Sequence, residues 1–295
     1  MIDPIKVCGF TFVKNAVKLD FPLAESIRSG LPLCDKFIVA LGDCNDGTRE
    51  LIENINSDKI RIIDSVWDES QKSGGRVYAL ETDKAFQSVP KEYDWCLYIQ
   101  ADEVLHEKDY PKIREALEKW HEHRDVEGIL FNYCHFYGSF DFVGNSRKWY
   151  RNEIRIIRND KSIHSYRDAQ GFRKLVRKLS VAQVDATVYH YGWVRPPAIM
   201  QQKCDVVKQY YSGQTGESNA FEFNYEQSFD SLARFQGTHP EVMQKRIEAK
   251  NWQINIDTAK IRMKPKYKLL FYIEKYFGMR LFEYRNYRIN SKSKQ

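Results

Sequence analysis

Residues 94–107 read DWCLYIQADEVLHE. An apolar run from Trp95 to Ile99 stops at Gln100, and Asp102, Glu103, His106 and Glu107 follow at once. A short apolar run bounded by polar residues reads as a buried strand. Carboxylates crowded at the end of such a strand need something to hold, because uncompensated charge beside a core is costly.

The segments around this stretch set its context. IKVCGFTFV (5–13), KFIVAL (36–41) and KIRIIDSVW (59–67) read as further strands. Between them, FPLAESIRSGL (21–31) carries Leu23, Ile27 and Leu31 at helical spacing, and GDCNDGTRELIENI gives a turn and then a helix. GGRVYALETDKAFQSV (74–89) opens on glycines and continues as a helix. Strands alternating with helices predict an α/β fold, a mainly parallel sheet flanked by helices. From about residue 127 strands follow one another without helices, a β-rich region (GILFNYCHFYGSF, NEIRIIRN, KLVRKLSVAQVDATVYHYGWV). After Pro196 and Pro197 the pattern predicts helix to the end, with an irregular polar stretch at 212–219. The expected division is 1–212 as the main domain, with halves 1–107 and 108–212, and 213–295 as a helical C-terminal extension.

Composition excludes several classes. The chain has 295 residues, 42% hydrophobic and 29% charged, as in ordinary globular proteins. Its net charge of +6 suits an anionic small ligand or a membrane surface as readily as nucleic acid. Aromatics reach 14%, a composition that favours strands, cores and stacking surfaces. Six scattered cysteines without C-x-x-C spacing predict reduced residues of a cytosolic chain. The N-terminus does not read as a signal peptide, and no apolar run is long enough to span a bilayer.

Ligands of open parallel sheets bind outside the carboxyl ends of the strands. Two acidic loops fall there, one with Asp43 and Asp46, the other with Asp102 and Glu103. Asp46 in NDGTRE is also a good helix N-cap. Charges at 102–107 could be solvated or cap a helix at 109–120, a role that fits Glu107 or Asp109 better than Asp102. A carboxylate in such a loop can hold Mg²⁺ or Mn²⁺ together with substrate phosphates.

At this point the chain resembles the family 2 nucleotide-sugar glycosyltransferases of the GT-A fold. FTFVKNA resembles their opening strand and nucleotide-binding turn. FIVALGDCNDGTRELI resembles the second strand and the D-x-S-x-D-x-T loop, with Asn45 at the Ser position. YDWCLYIQADEVL resembles the strand ending in D-x-D. Gln100 stands at the first Asp of that motif and Asp102 at the last. The resemblance covers roughly residues 5–195. It implies that Asp43 binds the uracil or ribose region, that backbone at Thr11 and Phe12 lines the base, that Gln100 and Ala101 border the nucleotide sugar, and that Asp102 ligates Mn²⁺ or Mg²⁺. Because Gln100 is neutral, the implied metal site is weak and substrate-dependent.

In families of this fold the acceptor site and the catalytic base follow the D-x-D strand. An inverting transferase needs a carboxylate to take the acceptor's proton. Asp168, within SIHSYRDAQGFRK (162–174), is the candidate; an ion pair with Arg167 or Arg173 is its alternative role, and Glu103 and Asp185 are the competing bases. His190, within TVYHYGWVRP (187–196), is the candidate second metal ligand, with His164 competing. Trp193 and Arg195 could stack on a sugar and pair with a phosphate. The glycines of GGRVYA could turn backbone N–H groups toward a phosphate, with Arg76 adding charge.

The tail from Lys264 has nine Lys/Arg against two Glu, with Leu269, Leu270, Ile273, Tyr276 and Phe277 at helical spacing. This predicts an amphipathic helix that either packs on the domain or lies on an anionic membrane. The expectation is a metal-dependent inverting glycosyltransferase moving a sugar from a nucleotide-diphosphate sugar, UDP-sugar foremost, to a carbohydrate or lipid-linked acceptor. It would be cytoplasmic, with a peripheral membrane contact through the tail. A sugar-phosphate nucleotidyltransferase and a non-catalytic sugar-nucleotide or glycan-binding protein are the alternatives. No Gly-rich, basic phosphate loop follows the first strand, which weighs against the nucleotidyltransferase.

Overall fold

The computed structural model describes residues 4–71, 73–212 and 222–294. The polar stretch expected at 212–219 lies outside them, save for its first residue. The first hundred residues follow the predicted alternation: β1 (Val7–Val13), α1 (Leu23–Gly30), β2 (Lys36–Gly42), α2 (Thr48–Glu53), β3 (Ile60–Ser65), α3 (Arg76–Gln87) and β4 (Trp95–Tyr98). Next come β5 (Glu103–Leu105), α4 (Tyr110–Trp120), β6 (Gly128–Tyr137), β7 (Ser139–Gly144), β8 (Asn152–Arg158), β9 (Ile163–Tyr166), β10 (Gly171–Lys174), β11 (Arg177–Lys178) and β12 (Ser180–Trp193). The chain ends with α5 (Pro197–Ser212), β13 (Leu232–Arg234), α6 (Gln244–Glu248), α7 (Pro265–Phe277) and β14 (Arg288–Ile289).

Side-chain alternation along the strands makes two cores. Phe37, Val39, Trp95 and Leu97 pack with Leu23 and Ile27 of α1 and Ile113 and Leu117 of α4. Ile38, Ala40, Cys96 and Tyr98 point the other way and pack with Ala85 and Phe86 of α3. Both faces are covered, which is why these strands read as continuous apolar runs. All six cysteines are free.

The main sheet runs β3-β2-β1-β4-β8-β6-β7-β13, with β12, β5 and β14 attached beside β6. β3, β2, β1 and β4 are mutually parallel. β8 joins β4 antiparallel and turns the sheet mixed. Chain order reverses between β1 and β4, so the connections after these two strands diverge and leave a crevice, the usual ligand site of open α/β sheets. β9, β10 and β11 form a small separate sheet whose β9–β10 hairpin has its tip at 167–170.

Two expectations change. The acidic segment after β4 is not a plain loop, because Glu103–Leu105 forms β5 against β12. The C-terminal region is not helical throughout. Among its described residues only α6 and α7 are α-helices, while β13 pairs with β7 and β14 with β12. Helical spacing recurs in the tail sequence, but sheet edges at β7 and β12 offer backbone partners that propensity alone does not reveal. Glu274 of α7 is buried and takes ion pairs from Arg147, Arg151 and Arg280. The tail is therefore a packed part of the fold, with Phe271 and Glu274 inward and Leu269, Tyr276 and Phe277 exposed.

Candidate functional site

A cavity of about 290 Å³ opens at the carboxyl ends of β1 and β4. Phe12, Lys14 and Asn15 reach it from the end of β1, and Gln100, Ala101 and Asp102 from the end of β4. Asp168 and Gln170 come from the β9–β10 hairpin, and Lys203, Val206, Tyr210 and Tyr211 from α5. One end is aromatic: Trp67 meets Tyr210 at 5.3 Å between ring centroids, and Phe12 stacks on Tyr78 at 6.0 Å. The other end is charged.

Asp102 organises the charged end. Its Oδ2 accepts from Lys203 Nζ at 3.0 Å, and its Oδ1 lies 3.7 Å from His190 Nε2. Burial alone would raise this carboxyl, but Lys203, His190 and Arg195 outweigh it and hold Asp102 well below the ordinary carboxylate range. Burial lowers Lys203 to about 8, with Arg195 pushing the same way against the pull of Asp102. His190 is lowered by burial too, and its Nδ1 lies 3.1 Å from His135 Nδ1. Gly192 leaves room for the group, since a Cβ there would come within 2.8 Å of Asp102 Oδ2.

Glu103, the next residue, serves the scaffold. It is fully buried and accepts from Arg155 through two bonds at 2.7 and 2.8 Å, from Tyr133 OH at 2.5 Å and from Gln100 N at 3.0 Å. Its lone pairs are committed, so it is removed as a candidate base. Asp185 is removed as well: it is exposed on β12, pairs with Lys112 and does not line the cavity. Asp168 stays. It sits at the hairpin tip between Arg167 and Ala169, both at positive φ (58° and 65°), a backbone path that turns its side chain out of the hairpin. Its Oδ2 accepts from Tyr211 OH at 2.6 Å. Among the described residues no ion pair joins it to Arg167 or Arg173, the alternative role considered above.

A carboxyl that the sequence did not single out lies behind Gln170. Glu153 is buried, its Oε1 accepts from Gln170 Nε2 at 2.7 Å, and its Oε2 has no partner among the described residues. Burial raises its pKa to about 8. Unfolded glutamates titrate near ~4.3, so between these values the native state keeps a proton that the unfolded state has lost. Stability from this group therefore falls as pH rises through that window. Glu153→Gln is expected to remove the dependence, gaining on the order of 3 kcal/mol at neutral pH and nothing below about pH 4. Urea unfolding of both proteins at the two pH values checks this; an equal difference at both would contradict it.

The remaining expected residues are more dispersed. Thr11 is fully buried within β1, pairs with Val39, and does not reach the cavity. Asp43 is exposed and acts at one remove, by accepting from Lys14 Nζ at 2.7 Å. Asp46 binds Thr48 and the Lys18 amide, the turn role. Arg76 is exposed at the start of α3 and does not line the cavity. The expected phosphate-facing glycines are corrected: Gly74 N and Gly75 N donate to the carbonyls of Tyr211 and Tyr210, which close the end of α5 onto α3. His164 lies in β9 opposite Arg173, away from the cavity lining. Trp193 stacks on Tyr137, a packing role. Arg195 is fully buried with its guanidinium over Phe21 at 4.8 Å.

The sequence reading missed α5 as a wall of the site. Its signal was available: Lys203, Val206, Val207, Tyr210 and Tyr211 recur at i, i+3, i+4, i+7 and i+8, one helical face, and all line the cavity. Read alone, that stripe is indistinguishable from a core-facing one.

The donor set does not fit the expected Mn²⁺ or Mg²⁺. Hard divalent cations take several oxygen donors. Among the described residues no three His, Cys, Asp or Glu side chains are grouped to hold a metal ion. Asp102 and His190 do come together, but as a pair, with neutral Gln100 at the motif's first position and the Lys203 ammonium on the same carboxylate.

No family model matches the chain, and no curated protein matches it. Solved structures with a similar fold include TarS of S. aureus, at 12% identity over 69% of this chain and 39% of that one (TM-score 0.38). Another is glucosyl-3-phosphoglycerate synthase of Mycobacterium tuberculosis in complex with Mn²⁺, UDP and phosphoglyceric acid, at 12% identity over 44% and 43% (TM-score 0.30). A third is 4-diphosphocytidyl-2C-methyl-D-erythritol synthase of Anaerococcus prevotii, at 10% identity over 52% and 72% (TM-score 0.33). The chain thus spans about two fifths of the length of the first two.

Proposed function

We propose that this chain is an inverting glycosyltransferase of the family 2, GT-A type, which moves a sugar from a nucleotide-diphosphate sugar, UDP-sugar foremost, to a carbohydrate or lipid-linked acceptor. The observation that carries the reading is the meeting of Phe12, Gln100, Ala101, Asp102 and Asp168 in one cavity at the sheet's switch point, although they lie up to 156 residues apart in sequence. The aromatic end suits a stacked nucleobase. Lys203 at the other end suits a diphosphate. Asp168 lines the same cavity, bonded to Tyr211 of α5, and in this reading faces an acceptor hydroxyl.

In this reading Asp168 removes the acceptor proton as the new C–O bond forms at the anomeric carbon. The bond from that carbon to the diphosphate oxygen breaks on the opposite face, and the diphosphate leaves with the electron pair. Holding both partners in line supplies most of the protein's contribution. Residues 1–212 would form the catalytic unit. A thermal-shift series with UDP, UDP-sugars and nucleoside triphosphates tests the reading, because a ligand that binds only the native state raises its apparent stability. The largest shift is expected with UDP-sugars; a preference for triphosphates would favour the nucleotidyltransferase.

A peripheral membrane contact is proposed for a cytoplasmic location, through the face of α7 and the loop after it. Leu269, Tyr276, Phe277 and Phe282 are exposed there among lysines and arginines. No helix among the described residues is long and apolar enough to cross a membrane. The variant Leu269→Ser with Phe277→Ser and Phe282→Ser is expected to lose most co-sedimentation with phosphatidylglycerol vesicles while keeping its melting temperature. Unchanged co-sedimentation would remove the proposal.

A further inference from the structure

We infer that Lys203 stands where a divalent cation would otherwise act, so that the diphosphate of the donor is gripped by the protein's own ammonium group and donor binding needs no metal. The inference rests on the nucleotide-sugar reading above and specifies how that site holds its ligand.

Three observations carry it. The first is position. Asp102 lies in the turn that follows β4 at the switch point, and Lys203 Nζ is 3.0 Å from its Oδ2. A second bond, 2.7 Å to the Gly192 carbonyl, fixes the ammonium from the other side. A lysine carries three N–H donors. Two are accounted for among the described residues, and Lys203 lines the cavity, so the third can meet a ligand oxygen there.

The second observation is charge. Glu103 and Arg155 cancel each other in a closed bidentate pair. That leaves Asp102 facing two cations, Lys203 and the buried Arg195, whose charge also acts on Asp102. The Arg195 guanidinium is held by one bond to the Gly192 carbonyl and by the Phe21 ring, while its Nε and Nη2 have no partner among the described residues. Lys203 lies over the same Phe21 ring, 4.9 Å from its centre. The floor of the cavity thus carries surplus positive charge before any ligand arrives. Such a floor repels a divalent cation and attracts a diphosphate.

The third is the donor count. Gln100 supplies no charge, and its amide nitrogen is committed to Tyr98 OH and the Ala169 carbonyl. Among the described residues Asp102 and His190 are the metal-ligating pair in contact here, and Asp102 is already paired with Lys203. Lys14 gives the site a second ammonium at the opposite wall, tethered by Asp43.

The test is calorimetric titration of the full chain with UDP and with uridine, in EDTA and in Mn²⁺. The expected result is UDP affinity equal within about threefold in the two buffers. Lys203→Met should weaken UDP roughly 10- to 100-fold, the loss of one charge-assisted hydrogen bond, while leaving uridine affinity unchanged. Because that variant strands Asp102, the double variant Lys203→Met with Asp102→Asn is measured beside it and should show the same loss of UDP over uridine. UDP binding that appears only with Mn²⁺, or a double variant that keeps wild-type UDP affinity, overturns the inference while sparing the nucleotide-sugar reading. Absence of binding by both UDP and uridine in both buffers overturns the reading and the inference together.

Discussion

Asp168→Asn is expected to lower kcat about 10²- to 10⁴-fold, the usual contribution of a general base, with donor affinity nearly unchanged. The substitution keeps the shape and the acceptor for Tyr211 OH, which now bonds Asp168 Oδ2 at 2.6 Å. What it removes is the capacity to take a proton. The hairpin tip should hold its course, because the positive φ angles belong to Arg167 and Ala169 on either side. In the proposed reading the donor is held by the cavity lining at the ends of β1 and β4 and by α5. A loss confined to kcat marks an interaction made only in the transition state. Slow hydrolysis of the donor by water should persist, since the proposed grip of Lys203 on the leaving group is untouched. Initial rates at saturating and limiting donor separate the two parameters. A variant with reduced stability and unaltered specific activity would show that Asp168 only anchors Tyr211 and ties the hairpin to α5.

The second large effect is on stability. Glu103→Gln is expected to cost about 3–5 kcal/mol, the penalty of leaving one member of a buried ion pair uncompensated. Arg155 is fully buried and bonds both Glu103 oxygens, and its guanidinium lies 5.1 Å from the centres of the Tyr98 and Tyr133 rings. Deprived of the carboxylate, it keeps the carbonyls of Ile154 and Gln170 and one neutral amide oxygen in place of two charged ones. The double variant Glu103→Gln with Arg155→Met should recover most of the loss, since removing both charges removes the unpaired one. Activity should fall with the single change as well, because Glu103 accepts the Gln100 amide and so shapes the turn that carries Asp102. Equilibrium urea unfolding measures all three proteins. A single-variant cost below about 1 kcal/mol would mean that the pair is not the internal strut described here.

These two neighbouring carboxylates show how far the sequence could be read. The apolar run before them announced a buried strand, and the alternation of such runs with helical spacing announced the parallel half of the sheet. Local pattern suffices there because β1, β2 and β4 are buried on both faces, while β3 at the sheet edge is half-buried. The place of Asp102 in the cavity at the switch point also followed, because switch-point geometry depends only on strand order. The partners of the carboxylates did not follow. Arg155 and Lys203 lie 52 and 100 residues beyond Glu103, and nothing local in a sequence says which buried cation meets which carboxylate. The Lys203 ammonium on Asp102 was not legible for that reason, since a carboxylate seen without its lysine looks available to an ion. The C-terminal strands were missed for a related one: β13 and β14 span only three and two residues, and exist because the edges of β7 and β12 accept them.

The central claim, transfer from a nucleotide-diphosphate sugar, is tested most directly by ³¹P NMR of the purified chain incubated with UDP-sugars, in parallel with nucleoside triphosphates and sugar phosphates. The account predicts that free UDP accumulates from a UDP-sugar, faster when an acceptor glycan is supplied, and that Asp168→Asn suppresses the acceptor-dependent part. Pyrophosphate released from a triphosphate, with UDP-sugars left intact, would contradict it.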